Sequence, residues 1–528
     1  MESAQSLLSH PTVILVAALL VLYTFYGALY RLCLSPVAHF PGPRLAALTF
    51  WYEFYYDVVR KGSYTWEIMR MHEKYGPVVR INPYELHVSD PAFYDQLYAG
   101  PGRRTEKWSW SAKMFGTTDA AVGTVSHELH RLRRAALNPF FSKRSVTRLE
   151  PVIQANVDKL CQRLQAFTGT AQPVNLRDAF TALSADVIGS FAFGRSYGFL
   201  DVPDFNPGWH KLMIDLSRGT HLMKQFGWLY TIMTHIPQKL VSIVHPLTKE
   251  LFDVQNGITQ QIEEIKSKGT EALSKAADTE AHAPTILHDI LHSSKLPASE
   301  LSNHRLTEEG FTLIGAGTVT SAHTLATTVY HLLANPEQLA HLRAELASPS
   351  TPSNPSWTDL EQLPYLSAVV AEGLRLSYGV SHRLPRISPD TALHVPNYAL
   401  AIPPGTPVSM TQMLLHDNAD IFGSPRAFLP HRWLGPDAPE LRRFLVPFSR
   451  GTRQCVGMNL AYAEIFLTLG RLFRPVGEGG LALELWQTGR SDVDVAHDFF
   501  NPVPRLGSKG VRVLVGKGSE ERGEGGEV

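Results

Sequence analysis

The stretch Phe448-Ser449-Arg450-Gly451-Thr452-Arg453-Gln454-Cys455-Val456-Gly457 decides how this chain is read. The run that follows, Met458–Phe473, is apolar with helical spacing, so Cys455 stands just ahead of a helix. A thiolate is stabilised there, because unpaired backbone N–H groups and the positive end of the helix dipole face its charge. Gly451 and Gly457 permit a tight turn and the close approach of backbone to a flat cofactor. Arg453 can neutralise an anionic group, such as a carboxylate, at the rim of that cofactor. A lone thiol in a Gly-rich turn is by default a small packing residue. The combination of Phe448, Gly451, Arg453, Cys455 and Gly457 in one short stretch favours the ligand reading instead.

The rest of the chain sets limits on what such a site serves. Of 528 residues, 44% are hydrophobic and 19% charged, a balance that supports a large packed core and argues against extensive disorder. Lys plus Arg number 49 and Asp plus Glu 49, so no basic excess marks a nucleic-acid binder. Three distant cysteines, Cys33, Cys161 and Cys455, form no disulfide framework and suit a reducing compartment.

Thr12 to Tyr30 is apolar and uncharged, and Arg31 closes it. As a helix this run spans about 28 Å, close to the hydrocarbon thickness of a bilayer. Tyr23, Tyr26 and Tyr30 gather toward the Arg31 end, as interfacial aromatics beside a positive flank do. A cleaved signal peptide is the competing reading, but no basic region precedes the run. Phe40-Pro41-Gly42-Pro43 then forms a stiff turn. The expected division is therefore 1–40 as membrane anchor and linker, 41–515 as one catalytic domain, and 516–528 as a disordered Gly/Glu-rich tail. Periodicity predicts helices near 64–75, 127–137, 150–166, 176–194, 246–267, 308–334, 359–377 and 457–473. Alternating segments at 77–88 and 393–402 predict a minor sheet, and 267–284 and 348–356 read as surface excursions. The fold class is mainly α with a minor β-sheet (α+β), preceded by one transmembrane helix.

The Cys455 stretch resembles the haem-binding loop of the cytochrome P450 superfamily, Phe-x-x-Gly-x-Arg-x-Cys-x-Gly. The resemblance implies the haem-thiolate fold, with haem b as cofactor and Cys455 as the axial ligand of its iron. Other family features follow in order. Glu372-Gly-Leu-Arg375 places two charges on one helix face, and Phe428-Leu-Pro430-His-Arg432-Trp433 matches the family's Phe-x-Pro-x-Arg-Trp segment. The resemblance makes Glu372, Arg375 and Arg432 a buried structural network. His130 and Arg134 match the family's Trp-x-x-x-Arg helix with His in place of Trp, and Arg386 matches another propionate-binding position. Alone, the basic run at 130–134 would be a solvated helix face.

Thr307-Glu308-Glu309 reads as a helix start, and the helix carries Gly315-Ala316-Gly317-Thr318-Val319-Thr320-Ser321. Small residues in mid-helix admit a ligand close to the backbone. By resemblance this segment passes over the oxygen side of the haem, and Thr320 is the catalytic threonine that helps protonation. The family's acidic residue is Val319 here, which leaves proton delivery to Thr320, Thr318, water or a substrate hydroxyl. Pocket walls are expected from Trp108, Trp110, Phe115, Phe226, Trp228, Leu313, Ala316 and Phe499.

The function implied is a monooxygenase using O2 and electrons from NADPH-cytochrome P450 reductase on a hydrophobic small molecule. Single-pass anchoring in the endoplasmic reticulum membrane with the catalytic domain facing the cytosol goes with it. Arg80–His87 and His497–Pro502 resemble members from filamentous-fungal secondary metabolism, which points first to a terpenoid substrate, then to polyketides or alkaloids. Two other readings compete: a haem-thiolate isomerase or dehydratase needing neither O2 nor reductase, and a non-catalytic haem- or lipid-binding membrane protein.

Overall fold

The computed structural model describes residues 11–117, 119–277, 285–293 and 295–516. The main helices are α1 (Pro11–Leu29), α2 (Tyr64–Tyr75), α3 (His127–Leu137), α4 (Lys143–Gln165), α5 (Leu176–Phe193), α6 (Pro207–Gln225), α7 (Thr248–Ala277), α8 (Asn303–Ala334), α9 (Pro336–Leu346), α10 (Pro364–Ser377) and α11 (Met458–Leu472). The strands are β1 (Val78–Arg80), β2 (Leu86–Val88), β3 (Glu106–Lys107), β4 (Val174–Asn175), β5 (Arg386–Ile387), β6 (Pro407–Ser409), β7 (Ala482–Leu485), β8 (His497–Phe499), β9 (Asn501–Val503) and β10 (Arg512–Gly516). They form a five-stranded sheet in the order β1-β2-β6-β5-β3, a three-stranded sheet β4-β10-β7 and the hairpin β8-β9.

Local chemistry accounts for the helix ends. Ser126, Ser142, Asn175 and Ser302 cap α3, α4, α5 and α8, each side chain accepting from a backbone N–H of the first turn. α8 thus starts one turn before the Thr307 expected from sequence. α4 starts at Lys143 and runs through Pro151, because burying Val146, Ile153, Val157 and Leu160 outweighs the roughly 3 kcal/mol that an interior proline costs. α6 has no counterpart among the expected helices. Asn206 caps it, and Pro207 fits the first helical position. α7 continues to Ala277, through most of the expected excursion at 267–284, of which 278–284 lies outside the described residues. The expected tail lies there too, apart from Gly516 at the end of β10. The segment expected as a strand at 393–402 makes a single bridge, Leu393 to Ile402.

α8, 32 residues and about 48 Å long, is the axis of the molecule. It packs on α5, α7, α10 and α11 in the largest core cluster, where Ile314, Ala322, Leu325 and Val329 are almost wholly buried. A smaller core, including Val78, Leu86, Ile402 and Val408, lies beside the five-stranded sheet.

α1 stands apart from both cores. The apolar stretch Val13–Leu34 is long enough to cross a membrane, and none of it is buried against the rest of the chain. It joins the sheet through backbone and arginine contacts: Arg31 Nη1 donates to the Leu48 carbonyl at 2.5 Å, and Arg80 Nη1 to the Arg31 carbonyl at 2.7 Å.

Candidate haem-thiolate site

The Cys455 loop is closed by its own backbone. The Cys455 N–H donates to the Phe448 carbonyl at 3.0 Å, and the Gln454 N–H to that of Gly451 at 3.1 Å. Ser449 and Gly451 turn the loop at φ values of 58° and 77°. A Cβ on Gly451 would lie 2.2 Å from the Ala99 carbonyl oxygen, so this glycine is required by neighbouring backbone and not by a cofactor. A Cβ on Gly457 would meet no protein atom within 4 Å. Cys455 sits just before α11 and is accessible, although the surrounding protein desolvates its thiol. Desolvation pushes the thiol pKa up, while the Gly457 backbone and Arg134 pull it back.

A set of buried cations lies beside the loop. Lys107 and Arg386 are directly paired across β3 and β5, a like-charge juxtaposition that destabilises a sheet unless an anion compensates it. Arg453 reaches the carbonyls of Thr124 and Val125 at 2.7 Å, and Arg134 that of Gln454 at 2.7 Å. Among the described residues no carboxylate forms an ion pair with Lys107, Arg134, Arg386 or Arg453. Burial, then mutual repulsion, holds the Lys107 pKa well below its usual value and that of Arg453 at about 9. The same causes drive His130 strongly down, so its ring is neutral at neutral pH. This surplus of buried positive charge, with Arg453 Nε unpartnered, fits a flat group bearing two carboxylates. Haem b has that form. Sequence reasoning named His130, Arg134, Arg386 and Arg453 and missed Lys107, which only the strand pairing brings in.

α8 carries the small residues that the resemblance places on the oxygen side of the haem. A Cβ on Gly315 would meet nothing within 4 Å, and Ala316 is exposed in mid-helix between the buried Ile314 and Thr318. Thr320 Oγ1 donates to the Ala316 carbonyl at 2.9 Å, and Thr324 Oγ1 to the Thr320 carbonyl at 3.1 Å. Val319 is buried at 5% exposure.

A charge network supports the loop from the other side. Arg375 grips Glu372 through Nε and Nη2 at 2.9 and 2.8 Å, and Arg432 Nε reaches the same carboxylate at 3.2 Å. Trp433 Nε1 and the Leu429 N–H complete its shell, both at 2.9 Å. Arg375 also donates to the carbonyls of His416 and Ala427, both at 3.1 Å. His416 carries the link onward: its Nε2 accepts the Val446 N–H at 3.0 Å, so Nδ1 holds the proton and donates to the Arg375 carbonyl at 3.1 Å. Val446 lies two residues before Phe448. The Cys455 loop is thereby tied to the Glu372 network through a histidine that no sequence motif marked.

The expected pocket residues divide. Phe115 meets Phe500 edge to face at 5.3 Å, and Lys107 Nζ lies 4.4 Å over the Phe115 ring. Phe499 points elsewhere, stacking on His497 at 5.6 Å with Arg218 at 5.8 Å: it ends β8 on the His497 face, whereas Phe500 is the turn residue of the β8–β9 hairpin at a φ of 70°. Phe500 therefore replaces Phe499 as the ring beside Phe115. Leu313 is packed into the main core at 7% exposure, whereas Ala316 one turn on is open. Trp108 and Trp110 cluster with Phe50, which stacks on Trp110 at 4.4 Å, and Lys224 Nζ lies 5.2 Å from the Trp110 ring. Trp228, expected in the pocket wall, is 59% exposed and belongs to the surface.

Comparison with known proteins agrees with this geometry. Residues 41–475 match the family model for cytochrome P450. The chain is 45% identical over 499 residues to a tryptophan 6-hydroxylase of Fusarium equiseti, covering 94% of this chain and 95% of that protein. It is 44% identical over 524 residues to an N-acetyltryptophan 6-hydroxylase of Emericella nidulans, covering 98% and 100%. A cytochrome P450 monooxygenase of Ascocoryne sarcoides is 45% identical over 514 residues, covering 95% and 98%. With its cysteine loop, buried cation set and Glu372 network in place, the chain belongs to the cytochrome P450 family of haem-thiolate monooxygenases.

Proposed function

We propose that this monooxygenase hydroxylates an aromatic, indole-bearing small molecule in fungal secondary metabolism. The full-length similarity to the two tryptophan-derivative hydroxylases carries this reading. The edge-to-face pair Phe115 and Phe500 supports it, since aromatic walls favour an aromatic ligand. The terpenoid expected from sequence is the competing outcome of the test.

In this reading Cys455 ligates the iron, and Lys107, His130, Arg134, Arg386 and Arg453 hold the haem carboxylates. The bound haem supplies oxygen activation and oxidation of the substrate C–H bond. The chain supplies position and protons. Gly315 and Ala316 leave room above the site, and Thr320 Oγ1 keeps a proton, parked on the Ala316 carbonyl at 2.9 Å, for delivery. Electrons come from NADPH-cytochrome P450 reductase. Residues 1–40 anchor the catalytic unit, 41–515, to the endoplasmic reticulum membrane from the cytosolic side. The exposed apolar residues Trp51, Trp228, Ile232, Leu240, Ile243 and Val244 offer a second contact with that surface.

The assay supplies the chain with reductase and NADPH and offers tryptophan, N-acetyltryptophan and a terpenoid panel. A product one oxygen heavier, hydroxylated on the indole ring, is expected from the first group. Turnover of terpenoids alone overturns the substrate reading, and turnover without NADPH or reductase overturns the electron route. Thr320→Ala is expected to keep consuming NADPH while product per NADPH falls about tenfold or more and hydrogen peroxide rises. Unchanged coupling would remove Thr320 from the proton path.

A further inference from the structure

Val319 cannot relay a proton, yet it borders a polar cavity. A hollow of about 320 Å³ is lined by Val319, Thr320 and His323 of α8, by Arg177 of α5, and by His210 and Asp215 of α6. His323 follows Thr320 by three residues and Val319 by four, so all three share one face of the helix. The His323 ring bonds the Ser377 carbonyl, and its Nε2 is shielded without a protein partner. A buried polar atom of that kind calls for water. Across the hollow, His210 Nδ1 lies 2.9 Å from Thr181 Oγ1. The outer rim is the ion pair of Asp215 and Lys211 at 2.7 Å, whose lysine is 63% exposed.

We propose that His323 is a positioning residue for proton resupply: its Nε2 and the Thr320 hydroxyl hold one water between them, and this water replaces the carboxylate missing at position 319. The proposal rests on the reading of Thr320 as proton donor. When Thr320 Oγ1 releases its proton, the water gives one of its own to Oγ1. The hydroxide left behind takes a proton from the next water in the hollow, and the deficit passes to bulk solvent at the Asp215–Lys211 rim. His323 keeps its ring proton throughout. Burial, followed by the charge of Arg177, holds the pKa of both His323 and His210 at about 3, so neither ring is charged at neutral pH. A neutral ring whose second nitrogen is engaged by a carbonyl presents Nε2 as an acceptor, which is what orienting a water requires.

The test uses the haem-loaded, full-length chain with reductase. His323→Leu is expected to keep the carbon monoxide spectrum and the substrate-induced spin shift, while product per NADPH drops about tenfold and hydrogen peroxide takes its place. His323→Gln, which retains an acceptor, and Val319→Glu placed on the His323→Leu background should each recover most of the coupling. Turnover driven by cumene hydroperoxide should be unchanged in His323→Leu, because that route needs no proton resupply. Independently of turnover, a crystal structure of the wild type should show one ordered water within hydrogen-bond reach of both His323 Nε2 and Thr320 Oγ1, missing in His323→Leu. Should His323→Leu not fold, His210→Phe fills the hollow from the facing helix and should uncouple in the same way. No such water in the wild type, wild-type coupling in the folded variant, or a glutamine variant no better than leucine overturns the proposal. Thr320→Ala assayed in parallel separates its failure from that of the Thr320 reading: coupling retained there removes the donor itself.

Discussion

Cys455→Ala is expected to abolish both the thiolate-type carbon monoxide difference spectrum and all NADPH-dependent product formation. No other thiol can take its place. Cys33 sits in the exposed N-terminal helical segment, and Cys161 is buried in α4, where desolvation lifts its pKa to about 12 and keeps it protonated. The loss should be specific to the ligand. The Cys455 thiol is engaged by the adjacent Gly457 backbone, and the loop is closed by its own backbone N–H to Phe448, which alanine retains. Circular dichroism of the variant should therefore match the wild type while the spectrum disappears. A surviving thiolate-type spectrum would show that another residue ligates the iron. Cys455→Ser would refine the result, because a weaker oxygen ligand withholds the electron density that favours O–O cleavage.

Arg375→Ala is expected to be the most destabilising single change in the catalytic unit. Glu372 and Arg375 are both fully buried, and alanine would leave the carboxylate facing only Arg432, Trp433 and the Leu429 N–H. Removing one partner of a buried pair costs about 3–5 kcal/mol, a large share of the roughly 5–15 kcal/mol that holds a folded domain together. The carbonyls of His416 and Ala427 would also lose their donor. Because His416 passes the connection to Val446, the damage should reach the Cys455 loop, and haem content should fall with the melting temperature. Arg375→Lys is expected to be intermediate: it restores the charge but not the planar fork that serves Glu372 and the carbonyls together. A variant with normal haem content and an unchanged melting temperature would refute this role. Thr320→Ala provides the contrast, since it should change coupling and leave stability almost untouched.

The legible parts of the site were those written in one short stretch of chain. The bounds of α2 and α3 fell where their periodicity placed them, because each is a self-contained amphipathic helix with a clear end. α6 was not among the expected helices; its start is fixed by the Asn206 cap and a first-position proline. In the charge cradle, Arg453 was found from its place in the cysteine loop. Lys107 was not, because a two-residue strand carries no periodic signal and its partner Arg386 is distant in sequence. Phe499 and Phe500 differ by one residue, but Phe499 ends β8 and Phe500 is the left-handed turn residue after it, a difference that no local pattern shows.

The sequence by itself determined the chemistry of this protein. A thiol, its turn and the start of a helix occupy ten consecutive residues, and their spacing is meaningful before any folding is considered. It also determined the loss of the acid at Val319. Tertiary structure alone decided what surrounds that position. His323, His210 and Arg177 come from three helices, and nothing in their local sequence relates them. Only the packing of α5, α6 and the 501–508 segment against α8 encloses them around one hollow, where burial keeps both imidazoles neutral and leaves His323 Nε2 in need of a partner.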